Sequence, residues 1–296
     1  VQQKNESTSI KIEKQKMEFF SSRKLVIATK HKKEKVIAPL LETALGVNCF
    51  VIENFDTDLL GTFTGEIERE LDPIATARQK CLMAMELSNC DLGIASEGSF
   101  GAHPSFFFIS ADDEFIIFID KKNDLEIIVR ELSTETNFNG QAIKTEKELL
   151  EFADSVNFPS HGLILRKAKA ENNDIIKGIT DIIQLKEVFA NLLDEFNIVY
   201  AETDMRALYN PTRMKVIEAA TKKCIDKIKS LCPQCNFPGF GITGAREGLE
   251  CSLCGSPTNS ILSYIYICQH CQYTNEEMYP HKKTTEDPMF CDYCNP

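Results

Sequence analysis

No stretch of this 296-residue chain approaches the roughly 18 apolar residues that a membrane-spanning helix needs. Wholly apolar runs such as Phe106–Ile109 and Phe115–Ile119 are strand-sized, so no membrane role is expected. Base is also scarce. Lys and Arg number 33 against 44 Asp and Glu, a net charge of −11, which opposes non-specific attraction to nucleic-acid backbones. An apolar signal segment is missing, and residues 1–22, beginning at Val1 and rich in lysine, read as a disordered, processed or truncated tail outside the fold. That absence predicts a cytoplasmic protein. Repeats and low-complexity tracts are absent too, and 43% apolar with 26% charged residues is an ordinary globular composition, which excludes collagen-like, coiled-coil and mucin-like architectures.

Cysteine, by contrast, is abundant and unevenly placed. Of twelve, eight fall near the end of the chain as four Cys-x-x-Cys pairs: Cys232/Cys235, Cys251/Cys254, Cys268/Cys271 and Cys291/Cys294. In a reducing compartment such pairs are metal ligands rather than disulfides. Taken in sequence they form two quartets of zinc-ribbon spacing. An interleaved pairing, first with third and second with fourth, fits the same spacing, and the sequence leaves both open. Four thiolates close the coordination shell of Zn²⁺, so two structural four-cysteine sites are expected in a tandem zinc-ribbon module over 226–296, with metal supplying the folding energy of so small a unit. Pro233, Gly239 and Gly255 suit the tight turns of such knuckles, and His270 and His281 are expected to be bystanders. This region carries five bases against eight acids. Its tyrosines, at 264, 266, 273, 279 and 293, therefore point to a protein partner or a structural cap rather than to nucleic acid.

Residues 23–225 mix helical and strand patterns, predicting a mixed-sheet α/β domain. Strands are expected at Lys24–Thr29, Cys49–Glu53, Leu92–Ser96, Pro104–Ser110, Glu114–Asp120, Glu126–Leu132, Gly162–Arg166 and Ile198–Ala201. Helices are expected near Ala38–Leu45, over Leu71–Leu87, from the Thr145/Glu148 capping box to about Ala153, over Asp181–Phe196, and onward from the Asn210-Pro211 cap. Pro39 argues that residues 30–37 form a turn before the first helix. Cys81 and Cys224 fall on apolar helix faces.

The bases cluster at the carboxyl end of the first strand, in Lys30-His31-Lys32-Lys33-Glu34-Lys35, where α/β sheets bind ligands. The glycines of a P-loop are absent. Ala28–Lys33, Ala75–Cys81 (ATARQKC) and Gly93–Gly101 (GIASEGSFG) resemble, in order, segments of the inosine/xanthosine triphosphate pyrophosphatases, with His31 where that family has Asn and Glu34 at its phosphate-lysine position. The chain as a whole, through STETNF, HGLILR, ETDMRALYNPTRM and the cysteine tail, also resembles an uncharacterised bacterial family. The pyrophosphatase resemblance implies an inosine triphosphate pyrophosphatase-like domain that hydrolyses nucleoside triphosphates or related phosphoanhydrides with Mg²⁺. It assigns metal and water handling to Glu97 with Glu66 or Glu68, with Glu70 as a further carboxylate. Thr29, His31, Lys33 and Lys35 would then meet phosphate, Arg78, Arg206 and Arg213 would neutralise charge, and His161 would complete the pocket. Asp56 and Asp58 lie in a loop-like acidic stretch. The alternative is a non-catalytic nucleotide sensor that contacts a partner through its zinc ribbons. Self-association is left open.

Overall fold

A computed structural model describes residues 19–53, 55, 71–169 and 174–296. Asp56, Asp58, Glu66, Glu68 and Glu70 lie outside these residues, as does most of the segment read as a tail. Phe19–Ser22 are described: Phe20 is buried and meets Phe118 edge to face, so the folded part reaches back beyond residue 23. The chain divides into two compact units after Cys224. No helix among the described residues is long and apolar enough to cross a membrane.

The first unit is mixed α/β and holds two sheets. In one, β1 (Lys24–Ala28) lies between β2 (Asn48–Phe50) and β3 (Leu92–Ala102), parallel to both, and the long antiparallel strands β4 (Ser110–Asp120) and β5 (Leu125–Ser133) extend it in the order β2-β1-β3-β4-β5. Helix α1 (Glu34–Leu45) carries the chain from β1 to β2, and α2 (Pro73–Leu87) carries it back past β1 to β3. Because the two crossovers run in opposite directions, right-handed connections require the two helices to cover opposite faces. The α2 face is defined by Val26, Ala28, Ala95, Ile117 and Ile119, packed against Ala77, Cys81, Ala84 and Met85. By strand alternation Ile27, Ile94, Ile116 and Phe118 point to the α1 face. The carboxyl end of β1 is thus a topological switch point, where an open crevice forms between oppositely wound halves.

The second sheet, in the order β6-β9-β7-β8, is wholly antiparallel: β6 (Gly140–Ile143), β9 (Val199–Thr203), β7 (Leu163–Arg166) and β8 (Ile176–Ile179). Helices α3 (Glu146–Ser155) and α4 (Ile182–Phe196) bury Leu149, Phe152, Leu185 and Phe189 against it. Thr145 accepts from the Glu148 amide while the Glu148 carboxylate takes the Thr145 amide, so the expected capping box is formed. Helix α5 (Pro211–Lys229) starts at Asn210, whose side-chain oxygen accepts from the Arg213 amide at 2.9 Å.

Two expectations give way, and two strands were not foreseen. The first helix begins at Glu34 rather than near Ala38, and Pro39 sits inside it, where it forgoes one bond to the Lys35 carbonyl without ending the helix. Pro104–Ser110 is largely the connection between β3 and β4, with Phe106, Phe107 and Phe108 exposed. Its apolar run imitated a strand, but Pro104 and a turn closed by the His103 ring, which accepts from the Ser105 and Phe106 amides, bend the backbone away. Strands β6 and β8, four residues each, had no apolar run to announce them.

In the second unit, β10 (Ile242–Glu247), β11 (Ile261–Ile267) and β12 (Thr274–Met278) form an antiparallel meander.

Candidate functional site

Just past the end of β1, strand β3 continues as Ser96-Glu97-Gly98, and its alternation sends Ser96 and Gly98 to the α1 face and Glu97 to the α2 face. On the α2 face Lys80 ion-pairs with Glu97 at 2.7 Å, both nearly fully buried. On the α1 face the buried Lys33 ammonium donates to the Ser96 hydroxyl at 2.9 Å and to its carbonyl at 3.0 Å. Burial, and then the nearby Arg213 charge, hold Lys33 down at about 8.

Beside Ser96 lie two acids from β4. Asp112 and Glu114 share the α1 face with Ile116 and Phe118, and both are 0% exposed. Glu114 Oε1 accepts from Arg213 Nε at 2.5 Å, and the Arg213 guanidinium also donates to the Met205 carbonyl at 2.6 Å and lies over the Phe100 ring. Gly98 is the cross-strand neighbour of Glu114, and a Cβ there would come within 2.4 Å of both Arg213 Nη2 and Glu114 Oε1. The glycine after Glu97 thus makes room for the ion pair. Both Asp112 oxygens, Glu114 Oε2 and the Thr29 hydroxyl are buried without a hydrogen-bond partner. Burial, reinforced by the Glu114 charge, pushes Asp112 up to about 8. Past the end of β1 lies a cleft of about 500 Å³, lined by Thr29, Lys30, Lys32, Glu34, Val51, Ile52 and Phe55 and by none of the buried acids and bases just described.

Of the residues picked from sequence, Lys33 and Arg213 therefore gather on the α1 face, Glu97 lies on the opposite face of β3, and Thr29 lines the cleft. His31 is half-buried in the same turn, while Lys35 points to solvent. The others have different surroundings. Arg78 forks Glu126 on β5, and Arg206 pairs with Asp204 and lies over Tyr209. His161 Nε2 accepts from the Thr212 amide and faces the Thr212 hydroxyl at 2.9 Å, so its proton sits on Nδ1, toward Ser160 Oγ. Burial lowers its pKa, which keeps the ring neutral in this helix-capping position. Lys80, Ser96, Asp112 and Glu114 were not foreseen. The signal for the last two lay in the period of SADDEFIIFID, which puts acids in register with Ile116 and Phe118.

The second unit holds two four-cysteine clusters: Cys232, Cys235, Cys268 and Cys271 in one, Cys251, Cys254, Cys291 and Cys294 in the other. Sulfur separations across the pairs are 3.7 to 3.9 Å. Four sulfurs at about 2.3 Å from a tetrahedral zinc stand about 3.8 Å apart, so both clusters fit Zn²⁺. The interleaved pairing is the one formed, and the meander explains it. Each spacer contains one strand, and each strand carries the chain from one cluster to the other, so successive pairs alternate. Every knuckle closes the same way, with the Asn236, Gly255, Gln272 and Asn295 amides returning to the carbonyls of Cys232, Cys251, Cys268 and Cys291. The first three adopt positive φ, which explains Gly255. Ser256 hydrogen bonds to the Cys254 sulfur favour its thiolate, the form that a metal requires. Neither histidine joins a cluster: His270 stacks on Phe237, and His281 faces Tyr264.

A family described as a domain of unknown function (DUF6671) matches residues 80–296, which takes in Lys80, β3, β4, Arg213 and all eight paired cysteines and leaves β1 and Lys33 outside. No curated protein matches the chain.

Proposed function

The chain belongs to the DUF6671 family, whose description names no activity, and we propose that its α/β unit binds a nucleoside triphosphate or related phosphoanhydride at the end of β1 and hydrolyses it with Mg²⁺. The observation that carries this reading is the buried set of Lys33 and Arg213 beside Asp112 and Glu114, which joins anion-binding cations to hard oxygen donors at a switch point. The cleft past the end of β1, which Thr29, Lys30 and Lys32 line, has the volume of a small-ligand site. The pyrophosphatase-like reading draws further support from the meeting of its three segments: Lys33 with Ser96, and Lys80 with Glu97.

In this reading Lys33 and Arg213 neutralise phosphate charge, and Lys80 positions the Glu97 carboxylate to take a proton from attacking water. Magnesium, when bound, would polarise the phosphoryl oxygens and the attacking water. The test is release of phosphate or pyrophosphate from standard, deaminated and cyclic nucleotides. Release is expected with Mg²⁺ and not with EDTA, and a drop of about a hundredfold or more is expected in Glu97→Gln. Full turnover in that variant removes Glu97 from catalysis, and no release from any nucleotide removes the hydrolase.

A second reading, a nucleotide sensor that recruits a protein partner, is favoured by the exposed Leu253, Met289, Phe290 and Tyr293 around the second cysteine cluster. Thermal stabilisation by nucleotide without turnover selects it.

A further inference from the structure

We propose that the divalent cation of the α/β unit is held by Asp112 and Glu114 on β4, and not by Glu97. The inference takes the cation's role from the hydrolase reading above, but the binding it describes is independent of turnover.

Glu97 is poorly placed to be the primary ligand, because Lys80 already occupies its Oε2 at 2.7 Å. Asp112 and Glu114 differ from it in the state of their oxygens. They stand two residues apart on one face of β4, both completely buried, and among their four carboxylate oxygens only Glu114 Oε1 has a partner. Roughly 90% or more of buried polar groups in folded proteins are paired, so three orphaned oxygens in one place call for a missing partner. Carboxylate oxygens are the donors that Mg²⁺ and Mn²⁺ prefer, and one or two of them, completed by water and phosphate, are the usual protein share of such a site.

Charge balance makes the arrangement selective. With all six groups ionised, Lys33, Lys80 and Arg213 cancel Glu97, Asp112 and Glu114. A divalent cation adds two positive charges to this buried neutral set, and an anionic phosphate then restores the balance. Cation and phosphate should therefore bind better together than apart. Arg213 links the two roles, since its guanidinium orients Glu114 through Nε and leaves Oε2 free.

The experiment is a Mn²⁺ titration of the full zinc-loaded chain, read by electron paramagnetic resonance with no nucleotide present. Glu97→Gln is expected to weaken Mn²⁺ binding far less than Asp112→Asn, which is expected to lose affinity by about tenfold or more. Asp112→Ser serves the same purpose if the amide variant does not fold. Unchanged affinity in the Asp112 variants, or no Mn²⁺ binding by wild type, overturns the proposal. Phosphate release assayed on the same samples separates the two claims. Turnover that survives loss of Asp112 contradicts the cation site and spares the hydrolase, whereas Asp112-dependent Mn²⁺ binding without turnover supports the site and contradicts the hydrolase.

Discussion

At the scale of single residues, Gly98 and Asp112 carry opposite lessons about the same cluster. A methyl group at 98 would press on both members of the Arg213–Glu114 pair, so Gly98→Ala should destabilise the α/β unit by about 1–3 kcal/mol, measured as a lower urea midpoint. Asp112 bears a cost instead. Its ordinary value is 3.8 and burial moves it to about 8 in the fold. As pH rises from about 4 to about 8, the unfolded chain gives up this proton while the folded chain keeps it, so stability falls through that window and the penalty is constant above it. Asp112→Asn should flatten this slope, and urea midpoints at pH 5 and pH 8 check it. These residues also mark what was readable in the sequence. Glu97 among glycines and Lys33 after a strand were visible because special backbone and clustered charge stand out locally. Lys80 was not, because it occupies a helix face otherwise marked by Ala77, Cys81 and Ala84, and hydrophobic periodicity passes over a charge on a buried stripe. Its partner lies 17 residues away, and no local pattern encodes that meeting.

At the scale of elements, the signals with a local physical cause were dependable. The Thr145/Glu148 box and the Asn210-Pro211 start each stand where side-chain oxygens satisfy free amides. Asn210 does more than cap: its amide also donates to the Asn137 side-chain oxygen at 2.8 Å, and its cap sets the first turn that delivers Arg213. Asn210→Ala should therefore cost about 1–2 kcal/mol in urea unfolding, at the upper end for a cap, because the site is fully buried. The segment between β3 and β4 misled because three consecutive phenylalanines look like a buried strand in composition, while their exposure depends on the long β3–β4 hairpin that holds them at its tip.

At the scale of the whole molecule, the cysteine spacing identified two four-thiolate centres but not their pairing, since residue spacing records distance along the chain and not direction. One strand per spacer decides it, and a hairpin in each spacer would have given sequential quartets. The double variant Cys232→Ser/Cys268→Ser removes two ligands from a single interleaved cluster. It should retain one tetrathiolate centre when loaded with Co²⁺, visible in the absorption spectrum, where sequential pairing would damage both. Chelation of zinc should unfold the second unit, detectable as loss of its protected amides in hydrogen exchange. The acid excess of the chain is likewise not uniform, because Lys33, Lys80 and Arg213, three of the four buried Lys and Arg side chains among the described residues, lie near the switch point of the first unit. Isothermal titration of pyrophosphate into the full zinc-loaded chain in Mg²⁺ tests that assignment most directly. Wild type should bind and Lys33→Met should bind about a hundredfold more weakly, the loss of a buried charge-assisted contact; equal affinity in the two proteins, or no binding by wild type, would contradict it.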